Sequence, residues 1–213
     1  MIEFKAKDSR LTILICIYAA ALIGANILAV KLTSVAGLVF PTGTLAFLVA
    51  FLITDIVTEV WGPKPARELI IGGFISNIVV VGFIHLAIAM PPAGFWVYQY
   101  QFSNILAGSA RIVAAGMATY LVSKHLNVWV FDKIRHRTKG KHLWFRNNVS
   151  SLIAQFVDTT MFITLAFVGT FEIGYVGEMI IATFIVKMVL DICKTPFVYL
   201  GVWWSKKPSF GFI

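Results

Sequence analysis

The chain has 213 residues, of which 59% are hydrophobic and only 13% charged, and its mean hydropathy is +0.85. A water-soluble domain carries about 25% charged residues, so this composition excludes an ordinary soluble globule and points to one compact bundle in a membrane. The formal net charge of +8 invites a nucleic-acid reading, but the placement of the basic residues accounts for it without direct nucleic-acid binding.

Six apolar segments have bilayer-spanning length, about 20 residues each. They lie near 11–30, 39–60, 69–90, 104–124, 149–170 and 178–203. The expected fold is therefore an all-α integral membrane protein, a bundle of six transmembrane helices forming a single domain over 1–213. An even number of spans puts both termini on one side. Fourteen of the 18 Lys and Arg residues fall before the first span, in the second and fourth connections, or after the sixth span, counting Lys124 at the very end of span 4 with the fourth connection. Lys31 alone falls on the other side, and Arg111, Lys187 and Lys194 lie inside spans. Cytoplasmic segments hold the positive excess, so both termini are expected in the cytoplasm of a multi-pass plasma (inner) membrane protein.

Span 1 follows a basic front of Lys5, Lys7 and Arg10, as a signal peptide would. Its apolar run is too long for a signal peptide and lacks a clean small-residue cleavage site, so it is expected to remain as a mature helix. Asn26 is its polar group, and Ala21, Ala25 and Ala29 are spaced for close helix approach. Span 2 carries Asp55 and Glu59 one turn apart, with Thr58 beside them, near its cytoplasmic end. Glu59 either faces a site or snorkels to the interface. The following Trp61-Gly62-Pro63 is a sharp helix stop, because proline cannot continue a helix. Span 3 contributes Ser76, Asn77 and His85.

Span 4 carries Arg111, whose guanidinium needs a carboxylate or several carbonyls at that depth. Asp158 and Asp191 are the candidate carboxylates. A basic cytoplasmic loop over 125–148 follows, mixing Val128, Val130, Phe131 and Ile134 with cations in a pattern that suits either a solvated loop or a segment lying on membrane lipid. Trp61, Trp96, Tyr98, Tyr100, Trp129, Trp144, Trp203 and Trp204 fall at span ends or in connections, where amphipathic rings favour the headgroup level.

Span 5 contains Ser151, Gln155, Asp158 and Thr159, which share one face of a helix with Phe162. A carboxylate in hydrocarbon costs on the order of 3 kcal/mol, so it normally faces a bundle interior or cavity. This face is read as one wall of a small-molecule site. Span 6 carries Lys187, Asp191 and Lys194 at spacings of four and three, an internally neutralised ladder above Pro196. Across the spans, Asp55, Glu59, Arg111, Asp158, Lys187, Asp191 and Lys194 nearly balance in charge. That balance suits a neutral or weakly charged polar substrate. Cys16 and Cys193 give neither a disulfide framework nor metal spacing, and no cofactor or metal is expected.

With these motifs in place, the chain resembles the queuosine precursor transporter family, whose members are vitamin-uptake-transporter-like membrane proteins. The resemblance is carried by Asn26, by TDIVTEVWG at 54–62, by ARIVAAGMATYLVSK from Ala110 and by LNVWVFDKIRHRT from Leu126. It continues through LWFRNNVSSLIAQFVDTTMFITLAF from Leu143 and KMVLDICKTPFVYL from Lys187. It implies a six-span importer of 7-deazaguanines, 7-cyano-7-deazaguanine or its aminomethyl derivative, that serves tRNA modification. A guanine-like edge presents a ring N–H beside an exocyclic amine, and one carboxylate can accept both. Asp158 is the first candidate for that role and Glu59 the second. Gln155 or Asn26 would donate to the carbonyl oxygen and Phe156 or Phe162 would flank the ring. Asp55, Arg111, Ser151, Asp191 and Lys187 complete the candidate substrate-binding set.

The alternative within transport is a substrate-binding subunit of an energy-coupling-factor importer, whose docking surface the Ala21, Ala25 and Ala29 spacing resembles. An intramembrane enzyme is disfavoured, since no nucleophile and base lie at triad-like spacing and no zinc-protease motif is present. A homodimer is left open by the sequence.

Overall fold

The computed structural model describes residues 6–137 and 143–206. Helix α1 (Ala6–Leu28) leads into a hairpin of β1 (Leu32–Val35) and β2 (Leu38–Pro41), followed by α2 (Gly43–Trp61) and α3 (Pro63–Ala89). The short α4 (Gln99–Leu106), then α5 (Gly108–Arg137), α6 (Leu143–Phe167) and α7 (Ile173–Lys206) complete the described chain.

Chain breaks follow from local chemistry. Between β1 and β2 stand only Ala36 and Gly37, with φ of 50 and 80, as a two-residue hairpin turn with positive φ at both positions requires. The stop expected at Trp61-Gly62-Pro63 is present. Gly62 leaves the helix at φ 92, its N–H still bonded to the Thr58 carbonyl at 3.0 Å, and Pro63 opens α3 where a missing N–H costs nothing. The connection is thus a single residue, and Lys64 and Arg67 belong to the first turns of α3 rather than to a loop.

Ser9–Leu28, Gly43–Trp61, Lys64–Ala89 and Val149–Phe167 are long and apolar enough to cross a membrane. They answer to the expected spans 1, 2, 3 and 5. Helices α5 and α7 have 30 and 34 residues, about 45 and 51 Å at 1.5 Å per residue, against about 30 Å of hydrocarbon. Within their length α5 carries Arg111 and α7 carries Lys187, Asp191 and Lys194. Two boundaries differ from expectation. Residues 38–41 pair in the hairpin instead of starting span 2, and residues 125–137 continue α5 as helix while 143–148 already belong to α6. The remainder of the expected 125–148 loop lies outside the described residues.

The chain separates into two compact units. The first comprises Met1–Leu32, Pro41–Ser109 and Lys187–Ile213. In its core Leu14, Tyr18 and Leu22 of α1 meet Ala50, Ile53, Ile56 and Val57 of α2 and Ala66 and Leu69 of α3. Close approach is set by small residues. A Cβ on Gly43 would run into the Ala25 carbonyl oxygen and lie 2.9 Å from the Ala29 side chain, and one on Gly73 would lie 2.5 Å from the Tyr18 ring. Ala25 and Ala29 are 0% and 1% exposed. The small face of α1 is thus taken up by the chain's own α2, and the docking surface suggested by that spacing is not open. Arg10, at the start of α1, donates to the Trp204 carbonyl at 2.6 Å and to that of Ser205 at 3.2 Å, so the two ends of the described chain meet at one end of this unit.

The second unit comprises Thr33–Phe40 and Ala110–Val186. Ile112, Val113 and Ala115 of α5, Ile163, Ala166 and Phe167 of α6, and Val176, Met179 and Ala182 of α7 are among its buried apolar groups. Thr119, Ser150, Thr159 and Thr183 are buried hydroxyls on the same three helices.

Candidate substrate face and ion pairs

In the second unit, α6 presents the polar face expected from its spacing. Ser151 is exposed, Gln155 and Asp158 are half-buried, and Thr159 is fully buried with its hydroxyl on the Gln155 carbonyl at 2.9 Å. The Thr159 bond satisfies its hydroxyl within the helix. Phe162, half-buried, is the aromatic on this face, whereas Phe156, 48% exposed with Phe184 of α7 edge-on at 5.4 Å, lies about 160° around the helix from Asp158. A planar polar molecule would find hydrogen-bonding groups and an aromatic surface side by side here.

Arg111 does something different from recognising a carboxylate. Its Nε donates to the Leu165 carbonyl at 2.7 Å, one Nη to the Val168 carbonyl at 2.5 Å and the other to the Thr170 hydroxyl at 3.4 Å. Gly169, at φ 82, ends α6 there, and the Phe167 carbonyl accepts from the N–H groups of both Thr170 and Phe171. The guanidinium therefore closes the carbonyl end of α6, where helix-end acceptors and the negative pole of the helix favour a cation. Carbonyls hold it in place of the proposed Asp158 or Asp191.

In the first unit, the Lys194 ammonium lies 2.8 Å from Asp191 on its own helix and 3.2 Å from Asp55 on α2, with the Phe51 ring centroid 5.7 Å away. Two of the expected site residues are thus brought to one cation.

The family described as "Putative vitamin uptake transporter" matches residues 41–201. The chain belongs to this family. It is also 26% identical over 180 residues, 84% of this chain and 79% of the other, to the "Probable queuosine precursor transporter" of Bacillus subtilis (strain 168). No solved structure shows a significant match. Both names describe transporters, not enzymes, and with its apolar helices this member of the vitamin uptake transporter family is a multi-pass membrane protein that handles a small molecule.

Within this transporter, the remaining expected site residues are placed as follows. Asn26 is 6% exposed and gives its amide hydrogens to the Leu22 carbonyl and to Oδ1 of Asn77, each at 2.9 Å, so its donors serve the α1–α3 contact. Glu59 is exposed on α2 and makes no hydrogen bond or ion pair among the described residues. Lys187 is half-buried on α7, one turn before Asp191. His85 bonds the Val81 carbonyl of its own helix, at 3.0 Å. No group of three or more His, Cys, Asp or Glu suited to a metal occurs among the described residues.

Sequence reasoning missed three participants. Lys194 was seen only as a partner of Asp191, since spacing gives contacts along one helix and not across two. Phe184 and Phe51 were not singled out. The one signal was position, as Phe51 precedes Asp55 by four residues on the same face of α2.

Proposed function

We propose that this chain imports a 7-deazaguanine precursor of queuosine, 7-cyano-7-deazaguanine or 7-aminomethyl-7-deazaguanine, across the plasma (inner) membrane. It does so with six spans, α5 and α7 among them, and with both termini cytoplasmic, an orientation supported by the distribution of Lys and Arg. The name of the Bacillus subtilis relative supports the substrate class.

The observation that carries the reading is the half-buried Asp158 on α6, in one helical face with Gln155 and the half-buried Phe162. Asp158 accepts the ring N–H and exocyclic amine of the base as a bidentate pair, Gln155 donates to its carbonyl oxygen and Phe162, one turn after Asp158, covers the ring. Ser151, one turn before Gln155, extends the same polar face. Arg111 shapes this wall indirectly by holding the end of α6. A neutral base needs no counter-charge, which fits a membrane interior whose acids and bases nearly balance.

Binding of 7-cyano-7-deazaguanine to the purified protein in nanodiscs tests the assignment. Asp158→Asn keeps the shape but replaces one acceptor oxygen with a donor, and it is expected to weaken binding by about tenfold or more, the equivalent of about 1.4 kcal/mol or more. Unchanged affinity would remove Asp158 from the site.

A further inference from the structure

Resting on the transport reading above, we propose that uptake is coupled to protons and that Asp55 is the carboxyl group that carries the proton. Asp55 lies six residues inside the end of α2, about 9 Å along the helix, and Lys194 lies twelve residues inside the end of α7, about 18 Å. Ionisable groups at such depth normally mark ion or proton pathways.

The two bonds of Lys194 are unequal in what they hold together. Asp191 is three residues earlier on the same helix, so its 2.8 Å contact is kept by α7 itself. Asp55 is on another helix, at 3.2 Å, through a side chain that is 46% exposed. A proton on Asp55 removes the charge that ties α2 to α7 and leaves the Asp191 contact intact. The protonated carboxyl then separates from an ammonium that stays charged, held by Asp191 and facing the Phe51 ring. This gives the first unit two arrangements, tied and released, selected by one proton.

The surrounding charges favour such a role. Within the first unit the charged groups of α2 and α7 are Asp55, Glu59, Lys187, Asp191 and Lys194, three acids against two bases, with Lys206 at the far end of α7. Beyond its first three residues, α1 adds only Arg10, bonded to the end of α7, and α3 adds Lys64, Arg67 and Glu68 in its first turns and His85 far along it. One proton neutralises the excess charge of the inner group. A sodium ion fits less well, because it needs several oxygens around it and here an ammonium already occupies the space between the two carboxylates. In the cycle one proton passes from outside water to Asp55 and from Asp55 to cytoplasmic water for each substrate carried inward, while Lys194 and Asp191 keep their charges.

The test uses proteoliposomes containing only this protein, with labelled 7-cyano-7-deazaguanine and a pH-sensitive dye in the lumen. The wild type is expected to acidify the lumen as the label enters, and to accumulate label several-fold when the outside is acidic. Asp55→Asn is expected to lose the acidification, and Asp55→Glu to keep it. Label entering the wild type without acidification would overturn the coupling and leave the transport reading standing, as would Asp55→Asn acidifying the lumen like the wild type. Gradient-driven accumulation that follows sodium instead of protons would also overturn it. Absence of any label entry in the wild type would mean that the transport reading itself had failed.

Discussion

Asn26 on α1 donates its side-chain N–H to Oδ1 of Asn77 on α3 at 2.9 Å, and Asn77 in turn donates to the Gly73 carbonyl at 3.0 Å. Both side chains are buried, at 6% and 2% exposure, between helices whose surroundings are apolar. In such surroundings the amide pair fixes the rotation of α1 against α3 and satisfies groups that lipid cannot.

Removing one partner strands the other. Asn77→Leu is therefore expected to cost about 0.6–2 kcal/mol, read as a lower unfolding temperature in detergent. Replacing both residues by Leu should cost less than the sum of the two single changes, since no polar group is then left unsatisfied. Additive losses would show that the two amides do not act as a pair.

The packing of α2 on α1 makes a contrast between two glycines. Gly43→Ala is expected to destabilise the protein by about 1–3 kcal/mol, because its methyl group would meet the Ala25 carbonyl and Ala29. Gly72, inside α3, has nothing within 4 Å of an added Cβ. Gly72→Ala should be neutral or stabilising by about 0.5–1 kcal/mol. Equal effects in thermal unfolding would contradict the close approach of α1 and α2.

Arg111 is predicted to act through the end of α6 and not through the substrate. Arg111→Ala should speed amide hydrogen exchange in residues 168–171 and lower thermal stability, with Arg111→Lys in between because a point charge replaces the fork. If Arg111→Ala left exchange unchanged and abolished binding of 7-cyano-7-deazaguanine, the guanidinium would have to be a ligand contact.

Phe162, one turn after Asp158 on the same face of α6, is predicted to contribute an aromatic surface. Phe162→Leu keeps the apolar volume and loses the ring face, and should weaken binding of the deazaguanine about three- to tenfold, or about 0.7–1.4 kcal/mol. A variant with wild-type affinity would assign ring coverage to another side chain.

Much of the fold was legible because lipid leaves the backbone little choice, so each long apolar run had to be helical. The end of α2 at Gly62 and the Asp191 contact with Lys194 followed from turn chemistry and helical spacing. The β1–β2 hairpin was not legible, since Leu32–Val35 and Leu38–Pro41 are as apolar as the helix after them and its turn carries Ala36, an unusual residue at positive φ. Nor was the continuation of α5 through 125–137, where charge suggested a loop although nothing in the stretch breaks a helix. The candidate face on α6 could be read from periodicity. Partners on different helices, Asn77 for Asn26 and Asp55 for Lys194, could not, because contacts 51 and 139 residues apart leave no periodic trace in one sequence.

The most direct test of the central claim is uptake of labelled 7-cyano-7-deazaguanine into proteoliposomes that contain only this protein, comparing the wild type with Asp158→Asn. The wild type is predicted to take up the label and to be inhibited by excess unlabelled deazaguanine, with uptake in Asp158→Asn reduced at least tenfold. Wild-type uptake that Asp158→Asn leaves unchanged would contradict the recognition site on α6, and a wild type that takes up no label would contradict the assigned substrate.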